Sequence, residues 1–178
     1  MKRLISAVSG PLIAFIASSV IACGTCAAAE ARSADAGAAD DSPIVELRKD
    51  AEQGNVKAQY VLGCCYNGEH GFVREPAKAA KWWGVAAANG YADAQFCLGL
   101  SCFMGEGVPK SSAEAIKWWQ KAADQDNPDA QYFLGLSYHT GLGVPKSTPL
   151  AVYWLQRSAN HEVKAAAELL KEITVSSK

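Results

Sequence analysis

The sequence predicts an all-α protein, a right-handed α/α solenoid built from 36-residue helix-turn-helix repeats, and three observations predict it. The first is a period without gaps. Ala58, Ala94 and Ala130 recur 36 apart, and so do Gln59, Gln95 and Gln131, Leu62, Leu98 and Leu134, and Gly63, Gly99 and Gly135. The second half of each unit keeps step, through Gly71, Gly107 and Gly143, Ala79, Ala115 and Ala151, Trp82, Trp118 and Trp154, and Ala87, Ala123 and Ala159. The second observation is helical spacing twice per period. Ala58, Leu62 and Tyr66 share one helix face (helix A), and Ala79, Trp82, Trp83 and Ala86 share another (helix B). The third is the glycine loop between them, Gly105-Glu106-Gly107-Val108 and Gly141-Leu142-Gly143-Val144 in the second and third copies.

Taken in chain order, residues 1–29 read as a signal peptide, because Lys2-Arg3 precedes an apolar run from Leu4 to Ala22. Two processing routes stand open. Val20-Ile21-Ala22-Cys23 fits a lipoprotein signal cleaved before Cys23, the preferred reading, and Ala27-Ala28-Ala29 fits an ordinary signal peptidase site. The run is interrupted by serines, Gly10 and Pro11, so it makes a poor membrane span. The protein is therefore expected to be exported, as a membrane-anchored lipoprotein or in the periplasm of a bacterial envelope. Residues 30–42 are mostly Ala, Asp and Ser, with little to bury, and predict a disordered tether. Residues 43–54 predict an N-terminal capping helix, residues 55–90, 91–126 and 127–160 the three repeats, and residues 161–178 a C-terminal capping helix and tail, since the end units of a solenoid have an uncovered face.

Within the units, Gly63, Gly99 and Gly135 predict close approach of a neighbouring helix, and Trp82, Trp118 and Trp154 are the expected structural filling of that space. Helix B is expected to begin on capping residues, Ser111-Ser112 in one copy and Ser147-Thr148 before Pro149 in another.

The third unit, Ala130-Gln131-Tyr132-Phe133-Leu134-Gly135-Leu136-Ser137-Tyr138, then Gly141-Leu142-Gly143-Val144, Ala151-Val152-Tyr153-Trp154 and Ser158-Ala159, resembles the Sel-one-like repeat family, α/α relatives of the tetratricopeptide repeat. The likeness covers about 120 residues. The first unit departs from it, with Glu69 in place of the first loop glycine and Phe72 in place of valine. The resemblance implies a TPR-like solenoid and an adaptor that gathers partner proteins. It also implies a rival, because some cysteine-rich members are β-lactamase-like or penicillin-binding. Neither Ser-x-x-Lys nor Lys-Thr-Gly, which a serine acylase of that kind carries, occurs in the chain.

The chemistry-bearing residues mostly yield to repetition. Lys+Arg number 17 against Asp+Glu 18 with no basic cluster, so a nucleic-acid partner is not expected. Gly107-Val108-Pro109-Lys110-Ser111 and its copy at 143–147 lack the spacing of phosphate-binding motifs. Gly99-Leu100-Ser101 and Gly135-Leu136-Ser137 lack the closing glycine of a nucleophile elbow and fall inside a helix. His70, His139 and His161 have no consistent partner, so catalysis, metal and cofactor are not expected. Of the cysteines, Cys97 and Cys102 sit badly for each other on one helix, Cys64 or Cys65 with Cys97 is the better disulfide, and buried thiols are an equal alternative.

One face does suggest binding. On helix A, positions 57, 60, 64 and 67 and their copies lie opposite the invariant residues, giving Tyr60, Phe96 and Tyr132, then Cys64, Leu100 and Leu136, then Asn67, Phe103 and His139. Such an aromatic and apolar ladder on the concave side could receive a partner peptide or protein of the envelope. Equally, it could pack between neighbouring A helices. The membrane would be touched only through a lipid anchor or the signal segment.

Overall fold

The computed structural model describes residues 42–176. The expected signal segment with Cys23, and residues 30–41 of the expected tether, lie outside the described residues.

Among the described residues there are eight α-helices and no strand. They are α1 (Ser42–Glu52), α2 (Val56–Tyr66), α3 (Pro76–Ala88), α4 (Ala92–Met104), α5 (Ser112–Asp124), α6 (Pro128–Thr140), α7 (Thr148–Asn160) and α8 (Lys164–Ser176), with a 3₁₀ turn at Glu69–Gly71. Each helix packs on the next in the chain. The chain is an α/α repeat solenoid in which α2, α4, α6 and α8 are A helices, and α1, α3, α5 and α7 are B helices.

Local chemistry sets the boundaries. Asn55, Ser111, Asn127 and Ser147 each accept a bond from the backbone N–H three residues on, which satisfies a donor that the first helical turn leaves orphaned. The two regular loops begin at Gly105 and Gly141 in the left-handed conformation. The first loop, with Glu69 where those glycines stand, forms the 3₁₀ turn after left-handed Gly68 instead. All three close alike: the N–H of Glu75, Ser111 and Ser147 donates to Tyr66, Cys102 and Tyr138 O, at 2.6, 2.7 and 2.9 Å. Each regular loop also leans on the preceding unit. A Cβ on Gly107 would stand 2.8 Å from Ala77 N, and one on Gly143 2.9 Å from Ser112 O, so these positions admit only glycine.

Pairing within a unit turns on the glycine of helix A. A Cβ on Gly63 would lie 2.5 Å from Trp83 Nε1, one on Gly99 would overlap Cδ1 and Nε1 of Trp119, and one on Gly135 would lie 2.6 Å from Leu155 Cγ. The large side chain of helix B therefore rests directly on the backbone of helix A. This corrects the expectation for the tryptophans. Trp82 and Trp118 are half-buried on the flank of helix B, with the Lys121 ammonium 4.1 Å above the Trp118 ring, and only Trp154 of that set is buried. The residue one further on, Trp83, Trp119 or Leu155, fills the space, because that position points at the glycine.

Not every helical glycine has this role. Gly84 lies inside α3, and a Cβ there would meet nothing within 4 Å. Gly84→Ala should then gain about 0.5–1 kcal/mol from reduced backbone entropy in the unfolded chain, read as a raised urea midpoint.

The invariant glutamines join one unit to the next. Gln59, Gln95 and Gln131 are buried, and each Nε2 donates to a carbonyl in the last turn of the preceding B helix: Ala51 O at 3.0 Å, Ala87 O at 3.1 Å and Ala123 O at 3.4 Å. Each of those carbonyls also accepts the turn-closing N–H of Gly54, Gly90 or Asp126, at 3.1, 3.0 and 3.0 Å, so the glutamine uses its second lone pair. The glutamine oxygen is then used as an acceptor, by Asn89 Nδ2 at 3.4 Å for Gln59 and by Gln125 Nε2 at 2.8 Å for Gln95. In the third copy the corresponding residue is His161, whose Nε2 lies 3.1 Å from Asp126 Oδ2 instead, and Gln131 Oε1 is buried without a partner. Asp126, at φ +67°, also accepts from Gln131 Nε2 at 2.7 Å and Arg157 Nη2 at 2.9 Å. These bonds and the His161 contact hold its carboxyl below the usual carboxylate range.

The last described A helix lacks the glycine. Lys171 on α8 stands 36 residues after Gly135, and it is exposed. A lysine there removes the seat on which a further B helix would rest. At the other end, α1 is a B helix on which Ala51 keeps its burial and Leu47 takes the place of Trp83.

Candidate functional site: the A-helix face

Opposite the glycine and glutamine side of each A helix lies the face singled out from the sequence. Tyr60, Phe96 and Tyr132 are 9%, 7% and 6% exposed and Leu100 5%, so these members of the ladder lie largely within the packing. Ring contacts explain why. Tyr60 meets Tyr91 at 5.1 Å and Phe96 meets Phe133 at 5.5 Å, each contact passing from one A helix to the next or to its N-cap. Phe133 also meets Trp119 at 4.9 Å. Among the described residues no ring contact joins two B helices, so the ring contacts between successive units run through the A helices.

What remains accessible is Asn67, Phe103, Leu136 and His139 from the ladder, each half-buried, with Met104 beside Phe103. Phe103 leans its other side on Trp119 at 5.7 Å. Nearer the N-terminal ends of the A helices the face turns acidic. Asp93 is exposed and accepts from Asn127 Nδ2 at 2.8 Å, and Asp129 is half-buried on the next A helix. Burial, and then the Asp93 carboxylate, hold the Asp129 carboxyl above the usual carboxylate range. Burial also pushes the Tyr132 hydroxyl up, with Glu168 of α8 adding to it.

The other candidates are placed as follows. Cys64, Cys65, Cys97 and Cys102 are thiols in this structure, all buried except half-buried Cys97. No bridge from Cys64 or Cys65 to Cys97 is formed. Burial, with the Glu114 carboxylate second, raises the Cys102 thiol and disfavours its reactive thiolate. Ser101 and Ser137 are buried, and Ser137 Oγ donates to Phe133 O at 2.7 Å, as an ordinary helix serine does. Among the described residues, no group of three His, Cys, Asp or Glu is placed to hold a metal ion, and no helix is long and apolar enough to cross a membrane.

A helices joined by ring contacts, glycine-seated B helices and a glutamine link between units define a TPR-related helical repeat protein. The family model described as Sel1 repeat matches residues 56–91, 92–127 and 128–162, and the chain belongs to this family. These repeats begin one residue later than the sequence boundaries set out above. Proteins of the family generally act as protein-interaction scaffolds. No curated protein matches the chain. Among solved structures, a Sel1 repeat protein from Oxalobacter formigenes is 32% identical, with TM-score 0.66, over 72% of this chain and 97% of that one. A protective antigen of uropathogenic Escherichia coli with an SLR fold, c5321, is 36% identical with TM-score 0.66, over 69% of this chain and 26% of that larger one. Helicobacter pylori cysteine-rich protein B shares the fold at 22% identity and TM-score 0.57, over 70% of this chain and 95% of that one.

Proposed function

We propose that this protein is a non-enzymatic interaction scaffold of a bacterial envelope, which holds a partner peptide or protein against its A-helix face. The observation that carries this reading is the division of labour on helix A. Positions that the repeat keeps constant are used up in packing, whereas Phe103, Leu136 and His139 sit at positions that vary from copy to copy and keep accessible surface. Side chains that are partly exposed, apolar or aromatic, and free to differ between units suit selection of a partner. Export places the scaffold in the periplasm, tethered by a lipid on Cys23 or released by the alternative cleavage.

Site-specific photo-cross-linking in envelope membranes tests the binding face. A reactive side chain at position 136 or 139 should capture the same partner, and one at Lys117, exposed on α5, should not. Equal capture from all three positions defeats the assignment. Metabolic labelling with a fatty acid, lost in Cys23→Ser, tests the anchor separately.

A further inference from the structure

The A-helix face carries an uneven charge. In the ladder's own register, α8 supplies Glu168 where the three repeats have Tyr60, Phe96 and Tyr132, and Glu172 where they have Cys64, Leu100 and Leu136. Asp93 and Asp129 occupy the neighbouring register on α4 and α6, where α2 has Lys57. Asp93 and Asp129 have no lysine or arginine in their own register on α4, α6 or α8, and Lys57 is in the first unit; on α8, exposed Lys164 stands one turn before Glu168 and balances it. Among the described residues none of the four carboxylates takes part in an ion pair, although Arg74–Glu106, Lys78–Glu75, Lys117–Glu114 and Arg157–Asp126 pairs occur on the loops and B helices. Half-exposed Leu136, Phe103 and His139 lie on the same face.

From this juxtaposition we infer that the partner presents a segment that carries both apolar side chains and lysine or arginine, the apolar ones resting on Phe103 and Leu136 and the cations meeting Asp93 and Asp129. The inference rests on the A-face reading given above and adds the partner's chemistry to it. Complementary charge selects the partner and speeds the encounter, and the apolar contact supplies the slower dissociation. Asp129 is the informative member. Its carboxylate is partly desolvated and faces Asp93, so a cation between them would relieve both the burial cost and the mutual repulsion.

The test uses short fluorescein-labelled peptides that share one Leu/Phe framework in a Gly/Ser background and differ only in carrying lysines, glutamines or glutamates. With the protein from residue 30 onward, anisotropy should show the lysine peptide binding about tenfold more tightly than the glutamine peptide, with the glutamate peptide weakest. Asp93→Asn with Asp129→Asn should remove most of that preference, and Glu52→Gln with Asp124→Asn, on B helices, should leave it. Circular dichroism verifies that the Asn variants keep their helices. The inference is overturned if the lysine and glutamate peptides bind alike, if the Asn pair leaves the preference intact, or if none of the three binds. These results spare the A-face reading as long as Leu136→Ser still weakens peptide binding or cross-linking from position 136 still captures a partner. Loss of both together removes the reading as well.

Discussion

Trp119→Ala should lower the stability of the array by about 3–5 kcal/mol, and Trp118→Ala by only about 1 kcal/mol, in urea unfolding followed by helical circular dichroism. The two residues are adjacent, identical in type and on one helix, so the contrast isolates position. Trp119 is 1% exposed, rests on Gly99 and touches Phe103 and Phe133, so truncation leaves a cavity at the centre of the second unit. Trp118 keeps contact with water and loses mainly its stack with Lys121. The indole N–H of Trp119 is buried without an acceptor, a cost that its removal returns and that trims the expected loss toward the lower end of the range. Equal losses for the two variants would defeat the assignment of Trp119 as the residue that fills the glycine seat.

Gly99→Ala should cost about 3 kcal/mol, although alanine is the better helix former by up to about 1 kcal/mol. The added methyl would overlap the Trp119 ring, and neither the α4 backbone nor an indole packed against Phe103 and Phe133 can move aside without disturbing its neighbours. The double variant Gly99→Ala with Trp119→Ala should lose markedly less than the two single losses added together, because removing the ring removes the clash. Strict additivity in that cycle would show that the two do not meet. Gly84→Ala, with open space around its Cβ, is the internal control and moves the other way.

The helix pairs, the loops and the family were legible because a period repeated three times averages out local ambiguity. Ser111 and Ser147 then cap helices for reasons visible in their side chains alone. What escaped was direction. Residues 82 and 83 are both tryptophan, as are 118 and 119, and the third copy reads Trp154-Leu155, so the strictly repeated position drew attention away from the buried one. The glycine seat accepts either an indole or an isobutyl group, and constancy of residue type was therefore the wrong signal for it. The recurrence of the glutamines does not reveal their role, since their partners are main-chain carbonyls eight residues earlier, which no side-chain pattern displays. On the A face, periodicity separated the two sides of a helix but not the depth of each position. How far Tyr60, Phe96 and Tyr132 sink depends on the neighbouring A helix, which lies a whole unit away in sequence.

Lys171 bears on how such a chain changes length. Because one side chain withholds the seat for a following B helix, whether a further unit can pack directly on α8 turns on position 171. A duplication of one complete period ahead of α8 would carry its own glycine, glutamine and loop, and would leave α8 unchanged. Binding surface could therefore be added or removed one unit at a time, leaving every existing joint as it is.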